Sequence, residues 1–176
     1  MSATEGRVLF FAYGANVHPG WLRRRVPAAR LQGPAFLPGY RLAFRKRGRD
    51  GAARSDACPS TEPGAALPGA LYELPAGALE RLGAAGAGYD VDEVEVLTAS
   101  GPRRALVFRA APAELASDLL PWDWYVALIR RGAELLELPA GHQRWLASVP
   151  VQADADEVRS GAARSVLAAD RAAEQG

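Results

Sequence analysis

The hydrophobic period of this chain changes near Pro121, and that change constrains its fold more than any other feature. Upstream, apolar residues come in short bursts or alternate with polar ones, as strands do. Val8 to Tyr13 is an apolar, aromatic run that stops at Gly14. Tyr40, Leu42 and Phe44 alternate with Arg41 and Ala43, and Ala70 to Leu74 forms a further run. Val94 and Val96 alternate with Glu93 and Glu95; Ser100-Gly101-Pro102 then turns the chain into Ala105 to Phe108, which predicts an antiparallel hairpin. Downstream of Pro121, Trp122, Tyr125, Val126, Ile129 and Ala133 recur at helical spacing, and Leu136 continues the face. Leu138-Pro139 ends that helix, and Gly141 to Ser148 predicts a shorter one. Short helices are also expected at Trp21 to Arg25, closed by Pro27, and around Leu79 and Leu82, stopped by Gly83 and Gly86. Strands early and helices late predict an α+β fold rather than alternating α/β units.

Between these elements, residues 45 to 69 are rich in Gly, Pro, Ser and Asp and read as mostly loop, with at most one short strand. The basic run Arg45-Lys46-Arg47-Gly48-Arg49 reads as a solvated part of that loop. No repeat or linker divides the 176 residues, so residues 1–176 are expected to form one domain with an alanine-rich, helical or partly ordered tail over 151–176. The 21 Lys+Arg and 20 Asp+Glu nearly cancel, and a net charge of +1 argues against bulk binding to nucleic acid or anionic membrane. Cys58 is the only cysteine, and His18 and His142 are the only histidines, which argues against a disulfide and a cysteine or all-histidine metal cage. No metal and no cofactor is therefore expected. No stretch approaches the ~20 apolar residues of a membrane span. The apolar run from Val8 to Ala12 is too short for a signal core, so a cytoplasmic location is expected. His18 and His142 read as surface histidines, and Cys58 has no histidine beside it in sequence.

The segment with most chemical content is Phe11-Ala12-Tyr13-Gly14-Ala15-Asn16-Val17. A strand that ends in Gly, a small residue and Asn can turn sharply and direct successive backbone N–H groups into one concavity, a nest suited to a carboxylate. A plain strand-ending turn is the alternative.

Distant blocks bear on that choice. Phe10-Phe11-Ala12-Tyr13-Gly14-Ala15-Asn16-Val17 resembles the Phe-Ala-Tyr-Gly-Ser-Asn signature that opens the γ-glutamylcyclotransferase-like family. The stretch from Arg23 to Phe44, with Val26-Pro27-Ala28 and Gly39-Tyr40-Arg41-Leu42-Ala43-Phe44, is similar to that family's next block. Phe44 to Ser60 resembles a subgroup stretch in which Arg54 stands where lysine is usual, with Asp56 and Cys58 beyond it. Gly69 to Leu82 matches the strand and helix before the catalytic segment. Pro121 to Pro150 resembles the closing helix, with Tyr125, Gly132-Ala133, Leu138-Pro139 and Val149-Pro150 in step. The resemblance covers residues 8 to 150. It implies a small mixed β-barrel with packed helices and a site for a γ-glutamyl amine, amide or dipeptide. It further implies that the substrate's α-amino group attacks its γ-carbonyl to release the amine and leave 5-oxoproline. Tyr13, Gly14, Ala15, Asn16 and Val17 would hold the glutamyl group, and Tyr89 would border it.

The family's catalytic glutamate lies in a Leu-Asp-x-x-Glu-Gly stretch shortly before a tyrosine. Here that stretch is Leu82-Gly83-Ala84-Ala85-Gly86-Ala87-Gly88-Tyr89. Either Ala85 stands at the glutamate position, or the glutamate is deleted between Ala85 and Gly86. Gly83 replaces the usual aspartate and Ala15 the loop serine. Asp56 and Asp92 are the candidate replacement carboxylates, and Asp92 shares a strand face with Val94 and Val96. Three roles are compatible with this pattern: a pocket for a γ-glutamyl or other small carboxylate ligand with impaired cyclase activity, an active cyclotransferase with a relocated carboxylate, or a non-catalytic interaction protein.

Overall fold

The computed structural model describes residues 6–176, apart from the side chains of Ala84 and Ala85. Five strands, β1 (Arg7–Ala12), β2 (Arg30–Pro38), β5 (Ala66–Pro75), β6 (Tyr89–Thr98) and β7 (Gly101–Ala110), close into a barrel in the order β1-β5-β2-β6-β7. Antiparallel pairing dominates, and a parallel β1–β7 pairing, Phe10 to Leu106 and Phe11 to Val107, closes the ring. The two remaining strands, β3 (Tyr40–Arg47) and β4 (Ala53–Pro59), form a separate hairpin. This is the expected α+β fold with a small barrel and packed helices.

Barrel closure explains the burial along β5. That strand lies between β1 and β2, and residues Leu67 to Tyr72 are buried on both faces, inside the barrel and beneath the elements packed on it. Its apolar run is therefore continuous where a one-sided strand would alternate. Phe11, Leu71, Tyr72 and Leu74 anchor this core. In β6 the alternation is retained: Val96 is buried while Glu93 and Glu95 face outward.

Two segments depart from the sequence expectation. β2 was not anticipated, because Gly33 and Pro34 interrupt its apolar pattern at the register shift between Leu31 and Gly33. Residues 45 to 69 are mostly strand, not loop: β3 runs on to Arg47, β4 follows after a turn, and β5 begins at Ala66.

The helices are α1 (Pro19–Arg23), α2 (Ala78–Ala85), α3 (Asp123–Leu135), α4 (Ala140–Ser148) and α5 (Glu157–Glu174). Among the described residues none is long and apolar enough to cross a membrane. The α3 helix buries Tyr125, Val126, Ile129 and Ala133, the expected face, together with Leu128 and Gly132. Gly132 lets α3 approach the turn after β1, since a Cβ there would sit 2.6 Å from Val17 Cγ1 and 2.8 Å from the His18 nitrogen. His18 is not a surface residue. It is 1% exposed, and its Nε2 lies 2.7 Å from Asp170 Oδ2 on α5. The Trp21 N–H donates to Nδ1, which leaves Nε2 to donate to Asp170. A partner 152 residues away has no signature in local sequence.

Candidate functional site

At the end of β1 the chain turns through Gly14 into a short 3-10 turn, Ala15–Val17. Gly14 approaches the β3–β4 hairpin so closely that a Cβ would lie 2.2 Å from Ser55 Oγ and 3.1 Å from the Tyr125 hydroxyl. The Val17 amide donates to the Gly14 carbonyl at 2.9 Å, and the His18 amide to the Ala15 carbonyl at 3.1 Å. Among the described residues no acceptor meets the amides of Ala15 and Asn16. The turn therefore keeps two adjacent donors available, which is what an anion-binding nest requires.

These residues border a cavity of about 350 Å³, the scale of a small-molecule site. Tyr13, Gly14, Ala15, Asn16 and Tyr89 all line it. Val17 does not, because its amide is taken up by the turn and its side chain packs beneath α3. The aromatic wall also includes Phe10, Trp21, Phe108 and Trp124. Burial, first of all, pushes the Tyr13 and Tyr89 phenols well above their ordinary range, so both remain protonated donors. Tyr13 donates to the Phe108 carbonyl, and Tyr89 to the Ser55 carbonyl at 2.7 Å. The Tyr125 hydroxyl meets the same residue, accepting from the Ser55 amide at 3.2 Å and lying 2.8 Å from Ser55 Oγ. Two buried side-chain atoms on the wall, Asn16 Oδ1 and Trp21 Nε1, have no partner.

The hairpin places charge here that sequence reasoning missed. Lys46, Arg49, Asp50 and Arg54 line the cavity, joined by Arg25 from the segment after α1. Lys46 is 4% exposed, donates to the Ala87 carbonyl at 2.6 Å and lies over the Tyr89 ring at 5.1 Å. Desolvation lowers its pKa, and the charge of Glu114 partly opposes the fall. Arg25 stacks over Trp21 at 5.1 Å. Arg54 stacks over Tyr125 at 5.1 Å and donates to Asp50 Oδ2 at 2.7 Å, where Trp122 Nε1 also donates at 2.8 Å. Burial alone would raise the Asp50 carboxyl pKa, but the donors from Arg54 and Trp122 outweigh it and bring the value down. The alternation of Tyr40, Leu42 and Phe44 does not record this wall, because the register shifts between Phe44 and Lys46 and the irregularity re-aims the strand where Lys46 is buried.

Neither proposed replacement carboxylate reaches the cavity. Asp56 is 2% exposed and wholly engaged: Arg45 Nε donates to Oδ2 at 2.7 Å, and the Ala110 amide to Oδ1 at 2.9 Å. It fastens the hairpin to β7. Asp92 shares its face with Val94 and Val96, but turns to Arg109 at 3.0 Å. The Leu82–Tyr89 segment does border the cavity, through Leu82, Gly86, Ala87 and Tyr89. The side chain of Ala85 lies outside the described residues. Among the described residues no cluster of His, Cys, Asp and Glu is arranged to hold a metal ion.

A solved structure of a γ-glutamyl cyclotransferase superposes with a TM-score of 0.73 at 24% identity, covering 84% of this chain and 90% of the other. The fold is that of γ-glutamylcyclotransferase. An uncharacterized human protein superposes on it at TM-score 0.72 and 24% identity, over 83% of this chain and 89% of that one. YkqA from Bacillus subtilis gives 0.66 at 24% identity, over 85% of this chain but 57% of its own length. No family profile and no curated protein sequence matches the chain. Identities at this level establish the γ-glutamylcyclotransferase fold, and the chemistry has to be argued from the cavity itself.

Proposed function

We propose that this chain binds a small carboxylate-bearing ligand, of γ-glutamyl or related type, and is impaired or inactive as a cyclotransferase. The nest at Ala15 and Asn16, on the border of a partly open aromatic cavity, supports the binding half of this reading. The observation that carries the catalytic half is the make-up of the wall: among the described residues, Asp50 is its only acidic side chain. Cyclisation forms a bond from the α-amino nitrogen to the γ-carbonyl carbon and breaks the bond to the departing amine. A positioned base must take the ammonium proton and deliver it to that amine, which typically contributes about 10²–10⁴-fold in rate. Asp50, held ionised by Arg54 and Trp122, is a poor base for this task.

Titration with 5-oxoproline and incubation with γ-glutamyl dipeptides or amines test both halves. Saturable binding with turnover at least ~10²-fold below an ordinary enzyme is expected. Absence of any binding removes the pocket and favours an interaction protein. Full turnover removes the impaired reading, and loss of that turnover in Asp50→Asn would then identify Asp50 as the relocated carboxylate. Ala85→Glu, and separately a glutamate inserted between Ala85 and Gly86, are expected to restore weak 5-oxoproline release in one register at most.

A further inference from the structure

The charge of this protein is distributed very unevenly. The whole chain carries a net +1, yet the cavity is lined by four cations and one carboxylate. That carboxylate, Asp50, is already occupied by Arg54 and Trp122. Lys46, Arg25 and Arg49 have no ion-pair partner among the described residues. Lys46 is the informative one: an ammonium buried at 4% exposure has a carbonyl, an aromatic face and the charges of Glu114 and Asp50 beyond ion-pair distance, and no direct counter-ion. Among the described residues the Ala15 and Asn16 amides and the buried Trp21 Nε1–H have no acceptor, and Asn16 Oδ1 is the buried side-chain acceptor on this wall without a donor. The volume of about 350 Å³ is that of a metabolite-sized ligand, far short of a polymer.

We infer, building on the carboxylate-binding role proposed above, that the cavity takes a small organic ligand with at least two anionic groups. The nest at Ala15 and Asn16 receives one group, and Lys46 and Arg49 receive the second. The second anion is a carboxylate or a phosphate, which share the chemistry that this wall offers. Lys46 sets the preference from the cavity interior and Arg49 from its exposed rim.

Calorimetric titration with four probes tests this: 5-oxoproline and glutaramate, each with one carboxylate, glutarate with two, and 2-phosphoglycolate with one carboxylate and one phosphate. Glutarate or 2-phosphoglycolate is expected to bind at least about tenfold tighter than glutaramate, with the advantage shrinking as salt is raised. Lys46→Met and Arg49→Gln should each reduce that advantage several-fold, weakening glutarate and 2-phosphoglycolate more than glutaramate. Should Lys46→Met fail to fold, Arg49→Gln at the exposed rim carries the test. A stronger gain for 2-phosphoglycolate assigns a phosphate to the wall, and an equal or stronger gain for glutarate assigns a second carboxylate. If 5-oxoproline and glutaramate bind but a second anion adds nothing, or if the preference survives both substitutions, the dianion inference is overturned while the carboxylate pocket stands. If none of the four binds, both are overturned.

Discussion

The barrel and the β3–β4 hairpin meet across the cavity, and they contribute different things. From the barrel side come the Tyr13–Asn16 turn and the aromatic rings of Phe10, Tyr89 and Phe108, set on strands whose apolar residues form the core. From the hairpin come Lys46, Arg49, Asp50, Arg54 and Ser55, nearly all of the charge. The barrel is held by apolar burial, continuous along β5. The hairpin is fastened largely by discrete polar links: Arg45 and the Ala110 amide to Asp56, Lys46 to the Ala87 carbonyl, and Tyr89 to the Ser55 carbonyl. Architecture and charge character are therefore separable. Residues on the hairpin rim can change what the cavity attracts without disturbing the sheet that shapes it.

Asp56→Ala is the strongest way to break this contrast. It strips a buried carboxylate from Arg45 and from the Ala110 amide, and a loss of about 3 kcal/mol in chemical denaturation is expected. Arg45 is partly exposed, which holds the expectation at the lower end for a buried pair. A loss below about 1 kcal/mol would mean that packing, not polar links, holds the hairpin.

Gly14→Ala presses on the contact itself. Its Cβ would fall 2.2 Å from Ser55 Oγ, so the two sides must part, with an expected loss of about 1–3 kcal/mol and weaker ligand binding. Pairing it with Ser55→Ala should return a substantial part of that loss in a double-mutant cycle. Simple additivity would show that the steric contact is not the cause.

The smallest effect concerns the outer face of the hairpin. Phe44 stacks on Trp145 of α4 with ring centroids 6.1 Å apart, and Trp145 stacks on His142 at 6.1 Å. Burial brings the His142 pKa down to about 4, so the folded protein keeps the ring neutral to that point. The unfolded chain takes up the proton near about pH 6.5, so stability falls as pH drops from there towards 4. His142→Gln should flatten this part of the stability profile relative to the parent protein. Parallel profiles would mean that α4 releases the ring to solvent.

The sequence by itself determined the elements whose periodicity is local. The β6–β7 hairpin was legible from Val94 and Val96 against Glu93 and Glu95, and α3 from Tyr125, Val126, Ile129 and Ala133, because residues that share a face recur at a fixed spacing. The turn at Gly14-Ala15-Asn16 was legible for the same reason: a turn is written in consecutive residues. Only the tertiary structure decided that Val17 turns away under Gly132, that Asp56 is used up by Arg45 and the Ala110 amide, and that His18 lies beneath α5. It likewise decided that a basic run resembling a solvated loop supplies a buried lysine to a cavity. Burial and ion pairing depend on which strand or helix covers a residue. That cover comes here from elements tens of residues away, and no local spacing records it.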